Sequence, residues 1–271
     1  MINKIPVRFF VVTFLWSWVC WVIPLLLKYI GIITDEKIFT SAIGLPIFII
    51  GAFGPAMGAI VSVRTLNGKE SIKTFFKSFL SLKFGLKAWL AIFLIIGGAG
   101  FIAWIAPEFF GIERLPPHLP IYLFIPGLLV WVFFGGGQEE IGWRGYIMPH
   151  LEKKYGLFWG SLILGIIWAI WHIPLWFIPG SGQIDTPFFG FVLLTIGYSF
   201  IFSWLIESSG NRLFSGIVVH GAANTFAAIF PILIMGEDVI QIRYWIYCSL
   251  IFTSGMVIVA LRIYKKTKNG T

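Results

Sequence analysis

The stretch IYLFIPGLLVWVFFGGGQEEIGWRGY, Ile121 to Tyr146, decides how this chain is read. Ile121 to Phe134 carries no charge, and then three glycines, two adjacent glutamates and an arginine follow within a few residues. An uncharged run of that length suits lipid better than water. Glu139, Glu140 and Arg144 at its edge then call for a chemical explanation.

The rest of the chain has the same character. Of its 271 residues 58% are hydrophobic and only 12% charged, where a soluble domain is about 25% charged. Mean hydropathy is +0.89. Apolar runs of bilayer-crossing length, about 17–25 residues, recur from end to end. We therefore read residues 1–271 as a single integral membrane domain, all-α and polytopic. Hydropathy places eight spans, at about 9–27, 41–63, 88–106, 120–137, 157–178, 187–206, 213–235 and 243–263. The first run follows Lys4 and Arg8 but is long and has no small-residue cleavage site, so it reads as a retained helix. Gly54 and Gly58 in GAFGPAMG read as helix packing. Cys20 and Cys248 stand alone in apolar segments, with no disulfide framework or zinc knuckle.

With the N-terminus in the cytoplasm, sixteen of the 20 Lys and Arg residues fall on that side. Only Lys28, Lys37, Arg114 and Arg243 fall on the other. This follows the positive-inside rule and predicts both termini in the cytoplasm. The net charge of +8 lies in loops and gives no nucleic-acid surface. Between the second and third spans, Phe75, Phe76, Phe79 and Leu80 share a helical face opposite several lysines, a pattern suited to an anionic inner leaflet.

Inside the spans polar groups are scarce and gather in three places: Glu139, Glu140 and Arg144 at the end of the fourth span, His172 within the fifth, and His220 with Asn224 within the seventh. An unpaired ionisable group at the centre of a membrane helix costs about 2.5–3.5 kcal/mol, so such groups are retained for function. Residues four apart share a helical face, which pairs Glu140 with Arg144 and His220 with Asn224, while Glu139 is turned by about 100° from Glu140. One carboxylate is held by the arginine and the other is left to face the bundle. Taken singly, the Glu–Arg pair reads equally as a helix-stabilising ion pair, and Asn224 as polar glue between helices. Taken together, the set supplies a base, a partner to position water and donors for developing negative charge. Spacing alone leaves open which glutamate is the base.

Three motifs thus stand in order: EEIGWR (Glu139–Arg144) as EExxxR, WAIWH (Trp168–His172) as an aromatic-xxx-His, and HGAAN (His220–Asn224) as HxxxN. The chain resembles the CAAX-protease and bacteriocin-processing (Abi) family of intramembrane proteases, relatives of the Ras-converting CAAX endopeptidases, over a motif core of 138–224. Trp168 stands where the second motif often has Phe. The resemblance implies an endopeptidase in which Glu139 and His172 position and activate a water and His220 and Asn224 stabilise the oxyanion. Glu140 and Arg144 would support the site, with Glu140 a possible second carboxylate. It implies a prenylated (CAAX-type) or hydrophobic membrane-associated peptide or protein as substrate, a setting among membrane lipids and a prokaryotic cell membrane. Two forms of the water stay open. Glu139, His172 and His220 are the residue types of a His₂Glu zinc site, whereas a glutamate activating water without metal needs no ion.

Two other functions share this pattern. A non-enzymatic bacteriocin-immunity or membrane-sensor scaffold would keep the same residues for packing. A proton-coupled transporter also buries Glu and His, but such folds often show paired internal repeats and none is visible here.

Overall fold

The structure, a computed structural model, describes residues 5–34, 38–67, 69–77, 84–210, 213–236 and 239–268. Among these residues every regular element is helical. In chain order they are α1 (Val7–Tyr29), α2 (Gly44–Ala52), α3 (Gly54–Asn67), α4 (Lys69–Lys77), α5 (Ala88–Phe110), α6 (Ile121–Phe134), α7 (Gly137–Phe177), α8 (Phe188–Ser208), α9 (Leu213–Ile229) and α10 (Ile242–Lys268).

Each predicted span has a helical counterpart, but not all are long enough to cross a bilayer. Among the described residues five helices meet that length and composition, or six if α2 and α3, bent by 43°, form one broken span. The remaining two, α6 and α9, are shorter apolar helices. They are also the helices that flank the polar site, and α6 packs against α9.

The expected boundaries shift most around the motif. α6 stops at Phe134, and the two glutamates open α7 instead of closing the fourth span. The path of α7 then turns at Gly156, whose backbone (φ 77°, ψ 170°) is non-helical. Only the portion after Gly156 matches the predicted fifth span. Residues 138–155, which lie between the predicted fourth and fifth spans, are helical.

α1 packs on α2 and α3, and α8 packs on α10 and on the second half of α7. Gly54 and Gly58 do the work expected of them. A Cβ on either would collide with α1, at Ser17 and Thr13 for Gly54 and at Thr13 and Phe9 for Gly58. Polar contacts tie the second layer: Tyr198 and Tyr247 share a 2.5 Å hydroxyl contact, and Ser161 donates to Ser203 at 3.3 Å. In α4, Ile72 and Phe75 pack against the core while Phe76 is 37% exposed. Phe79 and Leu80 of the expected amphipathic face lie outside the described residues. Two cations counted among the flanking charges are buried: Arg144 in the site, and Arg243, which donates to the carbonyls of Trp104 and Glu113.

Candidate active site

The site begins at the break between α6 and α7. The last turn of α6 ends with the Gly135 N–H donating to the Trp131 carbonyl at 3.2 Å. Gly136 follows with φ 133°, a conformation open to glycine and strained for other residues. The turn closes through two further bonds: the Gly136 N–H donates to Oε1 of Gln138 at 2.9 Å, and the Glu139 N–H donates to the Gly136 carbonyl at 2.9 Å. Glu139 and Glu140 thereby occupy the first turn of α7, where the positive end of a helix dipole favours negative charge. A wide π-helical turn, Trp143–Ile147, then carries Arg144. Such bulges occur often at functional sites.

His172 closes the α-helical part of α7, which continues as a 3₁₀ segment over Ile173–Phe177. Its N–H bonds to the Ala169 carbonyl at 3.1 Å in a tightened last turn. Pro174, two residues on, has no N–H to continue the helix and disfavours helical geometry at Ile173. His172 is thus a helix-end residue and not, as the span placement had it, an interior one. His220 and Asn224 lie on one face of α9, as their spacing predicts.

These elements bring all the expected site residues together. Glu139, Glu140, Arg144, His172 and His220 are each no more than 9% exposed. Glu140 Oε1 accepts from Arg144 Nη1 at 3.0 Å and from His220 Nδ1 at 2.8 Å. Glu139 Oε2 accepts from the Trp168 indole at 2.9 Å. His172 Nδ1 donates to the Trp168 carbonyl at 2.8 Å. Asn224 Nδ2 donates to the Gly135 carbonyl. Carbonyls and carboxylates only accept. Both histidines therefore carry a proton on Nδ1, and Nε2 is the nitrogen left to meet substrate or water. Asn224 keeps a second N–H and its Oδ1.

The two glutamates do different things. Glu140, fully buried, bridges an arginine and a histidine through one oxygen, so it fixes the His220 ring and is poorly placed as a second water-activating carboxylate. Glu139 accepts its hydrogen bond from the Trp168 indole, and Arg144 and His220 stand near its carboxylate without a hydrogen bond to it among the described residues. The Trp143 indole lies beside its carboxylate, short of hydrogen-bond geometry.

The metal alternative meets a poor fit. Among the described residues no three His, Cys, Asp or Glu side chains stand where a single ion would bind.

Three residues escaped the sequence reading. Gly136 lies against the His220 ring, where a Cβ would collide with it. Gln138 caps the glycine turn. Trp168, read only as an aromatic ring, is the hub of the site: Arg144 lies over its face at 4.7 Å, and its ring meets His220 edge-on with centroids 5.1 Å apart. The three consecutive glycines and the indole nitrogen were signals available in the sequence.

Comparison with known proteins fits this geometry. Residues 120–226 match the family model "Type II CAAX prenyl endopeptidase Rce1-like", a segment that holds every one of the site residues above. Over that segment the chain is similar to the CAAX-protease family. It is 31% identical over 107 residues to a CAAX prenyl protease 2 of Methanococcus maripaludis, covering 37% of this chain and 39% of that protein. It is 26% identical over 200 residues to a lysostaphin resistance protein A of Staphylococcus aureus, covering 71% of this chain and 45% of that protein. A third relative, a lysostaphin resistance protein A of Staphylococcus haemolyticus, is 24% identical over 71% of this chain and 52% of its own length. The chain thus spans about two fifths to one half of the length of these relatives.

Proposed function

We propose that this chain is an intramembrane endopeptidase. It hydrolyses a peptide bond in a prenylated, CAAX-type or otherwise hydrophobic membrane-associated peptide. The observation that carries this reading is the division of labour between the adjacent carboxylates: Glu140 holds Arg144 and His220 through Oε1, while Glu139 accepts from the Trp168 indole and, among the described residues, from no cation.

In the proposed reaction Glu139, aligned with His172, takes a proton from water as the water oxygen bonds to the scissile carbonyl carbon. The free N–H of Asn224 faces the oxyanion that forms, and His220 adds a second donor when its ring carries a proton on Nε2 as well as Nδ1. The C–N bond then breaks as Glu139 returns the proton to the leaving nitrogen. We take the water to be metal-free, a reading supported by the grouping of the described residues, among which no three His, Cys, Asp or Glu side chains stand where one ion would bind. We also infer eight membrane passes in a prokaryotic cell membrane with both termini cytoplasmic, supported by the distribution of Lys and Arg, and a site that faces lipids and lipid-borne peptide and takes no nucleic acid.

The test is cleavage of a fluorogenic farnesylated CAAX peptide by the purified protein in lipid, for wild type, for Glu139→Gln and for wild type after exhaustive chelation. Hydrolysis lost in the variant and kept after chelation supports the proposal. Loss on chelation with recovery on added zinc sinks the metal-free water. Unchanged hydrolysis in Glu139→Gln removes Glu139 as the base.

A further inference from the structure

Trp168 touches both halves of the site. Its indole N–H donates to Glu139 Oε2 at 2.9 Å, and its carbonyl accepts from His172 Nδ1 at 2.8 Å. Its ring face carries the Arg144 guanidinium at 4.7 Å, and its ring stands edge-on to His220 at 5.1 Å. The residue is 3% exposed and is packed by Phe202 and Tyr198 at centroid distances of 6.2 and 6.4 Å, so its ring has little freedom to turn.

We infer that Trp168 is a positioning residue for the hydrolysis, and that its indole N–H, beyond its ring, sets which oxygen of Glu139 meets the water. This rests on the endopeptidase reading. A bidentate carboxylate in a closed site can rotate and offer either oxygen. Donation to Oε2 pins the group and turns Oε1 to the water. The bond is also charge-assisted when Glu139 is ionised, which makes it stronger than an ordinary neutral one. Phenylalanine supplies the same packing and no donor. If an aromatic ring were all that position 168 required, Trp168→Phe would be silent.

Two readouts separate the possibilities. In cleavage assays Trp168→Phe is expected to lower kcat about tenfold or more, the scale of one lost hydrogen bond to a charged group, with KM little changed. Unchanged kcat overturns the inference. The second readout needs no activity: a thermal-unfolding cycle of wild type, Trp168→Phe, Glu139→Leu and the double variant in detergent. Non-additive shifts are expected, because Trp168→Phe costs less once the acceptor is gone. Additive shifts overturn the hydrogen bond even if the protein proves to be no protease, and a wild type that cleaves nothing tells against the endopeptidase reading instead. Should Trp168→Phe not fold, the indole N–H resonances of ¹⁵N-tryptophan-labelled Trp143→Phe protein are compared with and without Glu139→Leu. A shifted buried indole signal supports the inference and an unchanged spectrum refutes it.

Discussion

His220 donates its Nδ1–H to Oε1 of Glu140 at 2.8 Å, joining two helices whose contact residues stand 80 apart in the chain. The same oxygen takes Arg144 Nη1 at 3.0 Å, and the Arg144 and Glu140 side chains are 1% and 0% exposed. Removing one member of such a buried network leaves a charge without its partner, at a cost of about 3–5 kcal/mol. Glu140→Ala is therefore expected to lower unfolding stability in detergent by that order. Replacing both charges, as Glu140→Leu with Arg144→Met, is expected to recover a large part of the stability and none of the activity, since His220 still lacks the carboxylate that orients it. Activity returning with stability would show that the network serves only the fold.

The turn that presents Glu139 predicts a second outcome. At Gly136 a side chain meets two obstacles, a backbone φ of 133° and the His220 ring, whose Cδ2 would lie 2.7 Å from a new Cβ. Strain of this kind costs about 1–3 kcal/mol, and relieving it would push the His220 ring off Glu140. Gly136→Ala is expected to lose most cleavage activity while the protein still folds. Circular dichroism with a peptide assay checks both halves, and full activity would mean that the turn is not coupled to His220.

Gly156 supplies the contrast. It too has a left-handed φ, 77°, but a Cβ there meets nothing within 4 Å. Backbone strain is then the whole effect, about 1–3 kcal/mol. Gly156→Ala should shift the unfolding midpoint modestly downward and leave kcat and KM alone. A large loss of activity would place the bend between the halves of α7 in the reaction.

Much of this was legible in the sequence, for reasons that can be stated. A helix face follows from spacing, so the Glu140–Arg144 pair and the shared face of His220 and Asn224 could be read directly. Membrane character follows from composition. Helix ends were harder, because hydropathy sums over a window and an apolar run does not show where the backbone turns. FFGGGQEE holds three glycines and then acidic residues, which is the pattern of one helix stopping and another starting. Hydropathy passed over it and left Glu139 and Glu140 on the wrong helix. HIP likewise marks a helix end at His172. What no spacing rule supplies is a contact between elements distant in the chain. The indole of Trp168 reaches Glu139 across 29 residues, and His220 reaches Glu140 across 80. The first depends on how α7 turns at Gly156 and the second on how α7 and α9 pack.

Asn224 carries the last prediction, because two roles meet in one side chain. One N–H of its carboxamide donates to the Gly135 carbonyl, and the other is free for an oxyanion. Loss of a single oxyanion donor costs about 10²–10³ in kcat. Asn224→Ala should show that loss and should also raise hydrogen exchange in the peptide spanning Phe134 to Glu140, because Gly135 loses its tie to α9. If Asn224 serves the oxyanion alone, kcat falls and exchange stays as in wild type. If it only ties the turn, exchange rises while an isosteric Asn224→Asp, which places a carboxylate against a carbonyl, is as damaging to stability as Asn224→Ala. The two bonds available to one carboxamide predict the first result, with kcat and exchange moving together.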